Sequence, residues 1–274
     1  MNDRQSGFVE VPGGRLYFEA DGAGSAVTLI HAGVANLRMW DGQVAAWRDR
    51  HHVVRYDTRG FGRTLTEDVP YSNRDDLRRL LNHLGIERTH LVGLSRGAMI
   101  ALDFSLEQPA RVLSLAWIAG GIGGFEGPPD GVDWDEVERL WRERRFDELV
   151  ERETQIWTDG LGQPPTRVEP EVRRRMIEWN MANYSAGQVA EQAQPLDPPV
   201  AGRLAELAVP TLVAWGDLDV PSTPAAGERL AGAVRGARRY LFEGVAHMVN
   251  LERPAQFNRL VGDFIDDVDA GADG

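Results

Sequence analysis

Short runs of strand-forming residues alternate with stretches of helical periodicity along most of the chain. Residues 8–11 (FVEV) and 15–21 (RLYFEAD) flank Pro12, Gly13 and Gly14 and read as a β-hairpin. Residues 26–31 (AVTLIH) form an apolar strand that ends at Ala32 and Gly33. Leu37, Trp40, Val44 and Trp47 recur at helical spacing within 36–50. Residues 52–57 (HVVRYD) are strand-like again and close on the turn Arg59, Gly60, Phe61, Gly62. The rhythm then repeats. A helix is expected over 72–85, with Leu77, Leu80, Leu81 and Leu84 on one face. A strand follows at 89–94 (THLVGL), a helix at 96–107 and a strand at 112–119 (VLSLAWIA). Such alternation predicts an α/β fold, with a parallel sheet covered by helices on both faces.

The alternation stops at Gly120. Gly121, Gly123, Gly124 and Gly127, followed by Pro128 and Pro129, mark a junction. Between 134 and 187 only helical patterns occur, over 134–150, 151–158 and 169–184. Pro195, Pro198 and Pro199 mark the exit. A strand at 210–216 (PTLVAWG), a helix at 224–234, a strand at 238–243 (RRYLFE) and a helix at 252–266 complete the chain. The acidic, Gly-rich tail 267–274 is expected to fray. The pattern thus predicts one α/β core over 1–120 and 201–274, with a helical insertion at 121–200 between its sixth and seventh strands.

Composition narrows the function. The 274 residues suffice for a sizeable core. A net charge of −12 argues against nucleic acid and against an anionic membrane surface, since both call for a basic footprint. All 30 residues of the Lys and Arg class are Arg, so a Lys nucleophile or Schiff base is excluded. The absence of Cys excludes disulfides, Cys-ligated zinc and thiol catalysis. Residues 1–10 lack the apolar stretch of a signal peptide, and no apolar run is long enough to span a bilayer. A cytoplasmic monomer or homodimer acting on a small molecule is the expectation.

One segment points to chemistry. Gly93-Leu94-Ser95-Arg96-Gly97 is a G-x-S-x-G element between a strand and a helix, the setting of a nucleophile elbow. The serine must sit on a tight turn, and side chains two residues to either side would collide there. The following helix aims its N-terminal amides at the same place, which favours developing negative charge. A serine hydroxyl needs a base. Of the six histidines, His51, His52 and His90 stand at strand starts and His83 lies on a helix. His31 lies beside the loop after the third strand and reads as a structural hydrogen-bonding group. His247 follows the last strand, on the edge where loops after parallel strands gather. A carboxylate must orient that imidazole. The loop after the seventh strand offers Asp217 and Asp219; the loop after the sixth, at 120–124, offers none. An oxyanion hole would use the amide of Arg96 and a second from Gly33 or, alternatively, Val34. The Arg96 side chain is expected in a salt bridge at the helix start, with substrate contact as the alternative.

Five segments together resemble a known family. They are His31-Ala32-Gly33, the turn Tyr56-Asp57-Thr58-Arg59-Gly60-Phe61-Gly62-Arg63, the Ser95 element, Trp215-Gly216-Asp217-Leu218-Asp219, and Gly244-Val245-Ala246-His247. The chain resembles an α/β-hydrolase of the group containing 3-oxoadipate enol-lactonases, small esterases and haloperoxidase-like perhydrolases. The resemblance covers nearly the whole chain except the insertion. It implies a mostly parallel eight-stranded sheet, a triad of Ser95, Asp219 and His247, and no metal or cofactor. It selects Asp219 over Asp217, because the family's acid ends such a G-x-x-D loop. It makes the insertion a cap over the pocket, with Trp141, Trp157 and Trp179, together with Val34, as candidate substrate contacts. Two departures stand out: Ala32 where the family often has Gly, and Ala98 where a Gly often follows the elbow. Related dehalogenases and epoxide hydrolases use an Asp nucleophile, which Ser95 excludes. The expected reaction is hydrolysis of a small ester or lactone, with carbon–carbon bond hydrolysis, acyl transfer and simple ligand binding as alternatives.

Overall fold

The computed structural model describes residues 4–186 and 192–272. Strands β1 (Gln5–Val11) and β2 (Gly14–Asp21) form the expected hairpin. Next come β3 (Ala26–Ile30), helix α1 (Asp41–Trp47), β4 (His52–Tyr56), the two-residue β5 (Leu65–Thr66) and α2 (Asn73–His83). Strand β6 (Thr89–Leu94), α3 (Arg96–Glu107) and β7 (Val112–Ile118) complete the first half. Helices α4 (Trp134–Arg142), α5 (Phe146–Thr154) and α6 (Pro170–Ser185) occupy the insertion, whose residues 187–191 lie outside the described segments. The chain returns through β8 (Thr211–Gly216), α7 (Ser222–Ala233), β9 (Arg238–Phe242), α8 (Val249–Glu252) and α9 (Pro254–Ala272).

The sheet runs β1-β2-β4-β3-β6-β7-β8-β9. Pairing is parallel from β4 through β9 and antiparallel at β1, β2 and β5. Among the described residues nine strands are present rather than eight, because Leu65–Thr66 pairs with the start of β2, a run too short for any periodicity to reveal. Every residue of β3, β6 and β8 is buried, as expected of strands covered on both faces. The chain leaves β3 toward β4 on one side and β6 on the other, so the order reverses there. In an open α/β sheet that reversal opens a crevice at the carboxyl ends of the strands.

Helix α2 shows how pattern becomes packing. The Ser72 side chain accepts the Asp75 amide, Asp75 and Asp76 lie in the first turn, and Leu77, Leu80 and Leu81 are buried. Each leucine contributes about 1.5–3 kcal/mol by leaving water. Two elements differ from expectation. The single helix expected at 134–150 is broken into α4 and α5, with Arg144 in a left-handed conformation at φ +57°. Of the tail expected to fray, 267–272 form the last part of α9, and 273–274 lie outside the described residues. Asp269 bonds Ser25 at 2.5 Å and His90 at 2.9 Å, and Asp267 bonds Arg238 at 2.6 Å, so the acidic end is tied to the sheet.

A buried ion pair fastens the hairpin to this core. Arg59 donates to both oxygens of Asp76 at 2.7 and 2.9 Å, and to the carbonyls of Gly13 and Pro12 at 2.9 and 2.7 Å. Removing one partner leaves a buried charge unmatched. Asp76→Leu should therefore cost about 3–5 kcal/mol in urea unfolding, and Arg59→Met combined with Asp76→Leu should recover most of that loss. A single-variant loss below about 1 kcal/mol would show that the pair fastens nothing.

Candidate active site

Ser95 stands between the last residue of β6 and the first of α3, at φ +57° and ψ −119°. An L residue held there stores about 1–3 kcal/mol of strain, so the surroundings must enforce it. They do so from both sides. The Ser95 amide donates to Ile118 O at 2.9 Å, and its carbonyl accepts the amides of Ala98 and Met99 at 3.0 and 3.2 Å. A Cβ on Gly93 would lie 2.2 Å from the Gly97 carbonyl oxygen, and one on Gly97 would lie 2.0 Å from that of Ile30. The chain can pass between β6, β3 and α3 only because both positions are glycine.

Asp219 and His247 meet across two loops. Asp219 Oδ2 lies 2.7 Å from His247 Nδ1, and its Oδ1 accepts the Val220 amide at 2.8 Å. Both residues are buried. A carboxylate at Nδ1 fixes the proton on that nitrogen and leaves Nε2 as the basic lone pair. Asp217 acts on the backbone instead. Its Oδ1 accepts the amides of Gly244 and Val245 at 2.7 and 3.2 Å and holds the His247 loop. Gly216 allows that loop to close, since a Cβ there would lie 2.1 Å from Val245 O. Ser95 and His247 line one cavity of about 330 Å³ with Met99, Ile122, Phe125 and Trp157. The structure thus brings Ser95 and His247 to one cavity, with Asp219 behind the imidazole.

The oxyanion candidates sit beside the elbow. The loop after β3 carries Gly33 and Val34, and a Cβ on Gly33 would lie 3.7 Å from Arg96 Cδ. Among the described residues, the amides of Gly33, Val34 and Arg96 donate to no protein group. Contrary to expectation, the Arg96 side chain makes no salt bridge among the described residues; its Nη2 donates to the neutral Asn73 Oδ1 at 3.3 Å.

Two buried polar groups shape the loops behind these amides. The Thr58 amide donates to His31 Nε2 at 3.0 Å, so the proton of His31 is on Nδ1, which donates to Ala32 O at 2.7 Å. Burial pushes its pKa down to about 4. Asp57 accepts the Leu37 and Arg63 amides, each at 2.8 Å, and burial pushes its pKa up to about 6. Asn183 on α6 bridges both loops: its Nδ2 donates to Ala35 O at 2.9 Å, and its Oδ1 accepts the Gly62 amide at 3.0 Å.

Of the expected substrate contacts, Trp157 lines the cavity; its ring centroid lies 4.6 Å from that of His247. It stands on a π-helical turn, Gln155–Gly160, a local widening often found at functional sites. The structure places the others outside its lining. Trp141 is 45% exposed, because only Leu140 of α4 is buried. Val34 and Trp179 pack on the hydrophobic core and do not line the cavity.

Arg167 and Glu252 carry no motif, yet they hold the site together. Arg167 donates to the carbonyls of Thr158, Asp159 and Gly244 at 2.9, 2.6 and 3.0 Å. It also pairs with Glu252, whose other oxygen accepts the Ala246 amide at 2.9 Å. Only the pairing of distant segments in space could reveal them.

A family model described as the alpha/beta hydrolase fold matches residues 25–254. The chain belongs to that family and is a hydrolase of the enol-lactonase and esterase group. It is 31% identical over 230 residues to a 2-hydroxy-6-oxononadienedioate/2-hydroxy-6-oxononatrienedioate hydrolase of Pseudomonas putida, covering 78% of this chain and 77% of the relative. It is 28% identical over 233 residues to 3-oxoadipate enol-lactonase 2 of Acinetobacter baylyi, covering 82% and 83%. The solved enol-lactonase of Burkholderia xenovorans superposes with a TM-score of 0.79 at 26% identity, over 95% of this chain and all of that one.

The two buried groups give opposite pH dependences. The unfolded chain takes up a proton at His31 near pH 6.5 and the native protein only near 4. That stability is therefore lost as pH falls through this window. Asp57 acts in reverse: the native protein takes up its proton first, so stability is gained as pH falls from about 6. His31→Gln keeps an acceptor without a titration. Its urea-unfolding free energy should fall by about 3 kcal/mol less than that of the parent between pH 6.5 and 4. Equal slopes would show that His31 is not held neutral.

Proposed function

We propose that this hydrolase cleaves a small carboxylic ester or lactone through an acyl-enzyme on Ser95, acting in the cytoplasm without metal or cofactor. The observation that carries the reading is the Asp219–His247 contact of 2.7 Å behind a cavity that Ser95 lines. In this reading Ser95 Oγ attacks the carbonyl carbon while His247 Nε2 takes its proton. The oxyanion accepts hydrogen bonds from the amides of Arg96 and of Gly33 or Val34, which have no protein partner among the described residues. His247 then protonates the leaving oxygen, and later takes a proton from the water that releases the acid. Asp219 stabilises the imidazolium in both steps. The insertion at 121–200 serves as a cap, with Trp157 laid on His247 to shield the imidazole from water.

A second reading is hydrolysis of a carbon–carbon bond by the same groups. It is favoured by the relative at 31% identity, whose name is that of a 2-hydroxy-6-oxononadienedioate hydrolase. Assays of graded aryl esters and lactones beside a 2-hydroxy-6-oxodienoate separate the two. The ester reading expects turnover of the first set, whereas turnover of the dienoate alone favours the second. In either case Ser95→Ala should lower kcat by about 10⁴-fold or more and abolish labelling by a fluorophosphonate probe. A variant that kept a tenth of the rate, or still labelled at the same site, would contradict Ser95 as nucleophile.

A further inference from the structure

The next residue after Ser95 is a cation that no carboxylate of the described residues matches. Among the described residues Arg96 has no carboxylate within ion-pair distance. Arg74, on the same cavity wall, does: it pairs with Glu107 at 3.3 Å and Asp103 at 3.8 Å. Among the described residues one of the five N–H donors of Arg96 is used, on Asn73 Oδ1, and its buried Nε meets no partner. The side chain is not loose: the guanidinium lies 5.2 Å from the Phe61 ring centroid, and its stem rests by Gly33. A half-buried cation held in place with its Nε buried, and with no counter-ion among the described residues, is costly unless something else supplies the anion.

Arg96 faces a second cavity, of about 780 Å³, which shares Met99 with the Ser95 cavity. Much of its lining is apolar, from Ile100, Pro195, Leu196 and Val200. Two carboxylates also line it. Asp103 faces Arg74, and Asp197 lies at the exposed rim; neither pairs with Arg96. We propose that the Arg96 guanidinium is a substrate anchor, and that the substrate carries a carboxylate a few bonds from the scissile carbonyl, lodged in this second cavity while the carbonyl sits at Ser95. The backbone of Arg96 would then serve the oxyanion and its side chain the distal anion. A planar fork with free donors suits a carboxylate. This rests on the reading of Ser95 as nucleophile.

The test compares two inhibitors of equal length, butylboronic acid and 3-carboxypropylboronic acid. Each forms a tetrahedral adduct as the Ser95 Oγ–boron bond is made and the hydroxyl proton passes to His247, so no natural substrate is needed. The ratio of their Kd values is read within each variant. The parent is expected to bind the carboxylate compound about tenfold or more tighter, with Arg96→Gln bringing the ratio close to one. Arg96→Lys, which keeps the charge but not the fork, should fall between. If Arg96→Gln binds neither compound, Arg96→Lys decides, and an unchanged ratio there overturns the anchor. A parent that binds both compounds equally overturns the anchor and leaves the triad standing. A parent that binds neither overturns the nucleophile and the anchor with it.

Discussion

The steric squeeze at Ser95 is the constraint on which the rest of the site depends. The turn runs between the Ile30 carbonyl and its own glycines, with no room for a Cβ at position 93 or 97. That contact fixes the end of β6 and the start of α3 against the loop after β3. It therefore sets the relation between the Ser95 hydroxyl and the amides of Gly33, Val34 and Arg96. The strain at φ +57° is borne by a sheet whose central strands are wholly buried. A rigid scaffold converts burial energy into a fixed position for one side chain.

The other half of the site is held less by the sheet than by polar stitches between loops. Asp217 holds the loop that carries His247, and Glu252 holds the Ala246 amide from the far side. Arg167 joins both to the insertion by its bond to Gly244 O and its pair with Glu252, while Asn183 joins α6 to the loops after β3 and β4. The insertion is thus bound to the rim beside each half of the site. Trp157 sits between them on its π-helical turn, so the segment that covers the imidazole is also the one Arg167 fastens.

Much of this is legible in the residues. The alternation of apolar runs and helical periods marks the parallel sheet, because strands buried on both faces have little freedom of composition. The elbow is legible because steric exclusion permits only glycine at its flanks. Asp219 and Asp217 cannot be told apart by chemistry alone: both are carboxylates on one loop, and only their bonds to His247 and to the Gly244 amide separate them. Trp141 and Trp157 are likewise equivalent as sequence. One faces solvent and the other the cavity, because the break after α4 and the widened turn after α5 reset the helical phase. Strand β5 and the Arg167–Glu252 stitch have no local signal, since each exists only through a distant partner. The acidic tail reads as frayed because carboxylates without a local partner prefer water, whereas in the fold Ser25, His90 and Arg238 bind them.

The proposed chemistry requires one geometry above all: a tetrahedral centre on residue 95 with its oxygen cradled by backbone amides. A crystal structure of the protein inactivated by a small alkyl fluorophosphonate measures it directly. The expected result is a phosphorus bonded to Ser95 Oγ, with a phosphoryl oxygen within about 3 Å of the Arg96 amide and of the Gly33 or Val34 amide, and His247 Nε2 facing the bonded oxygen. Phosphorus on another residue, or a phosphoryl oxygen turned away from those amides into solvent, would contradict it.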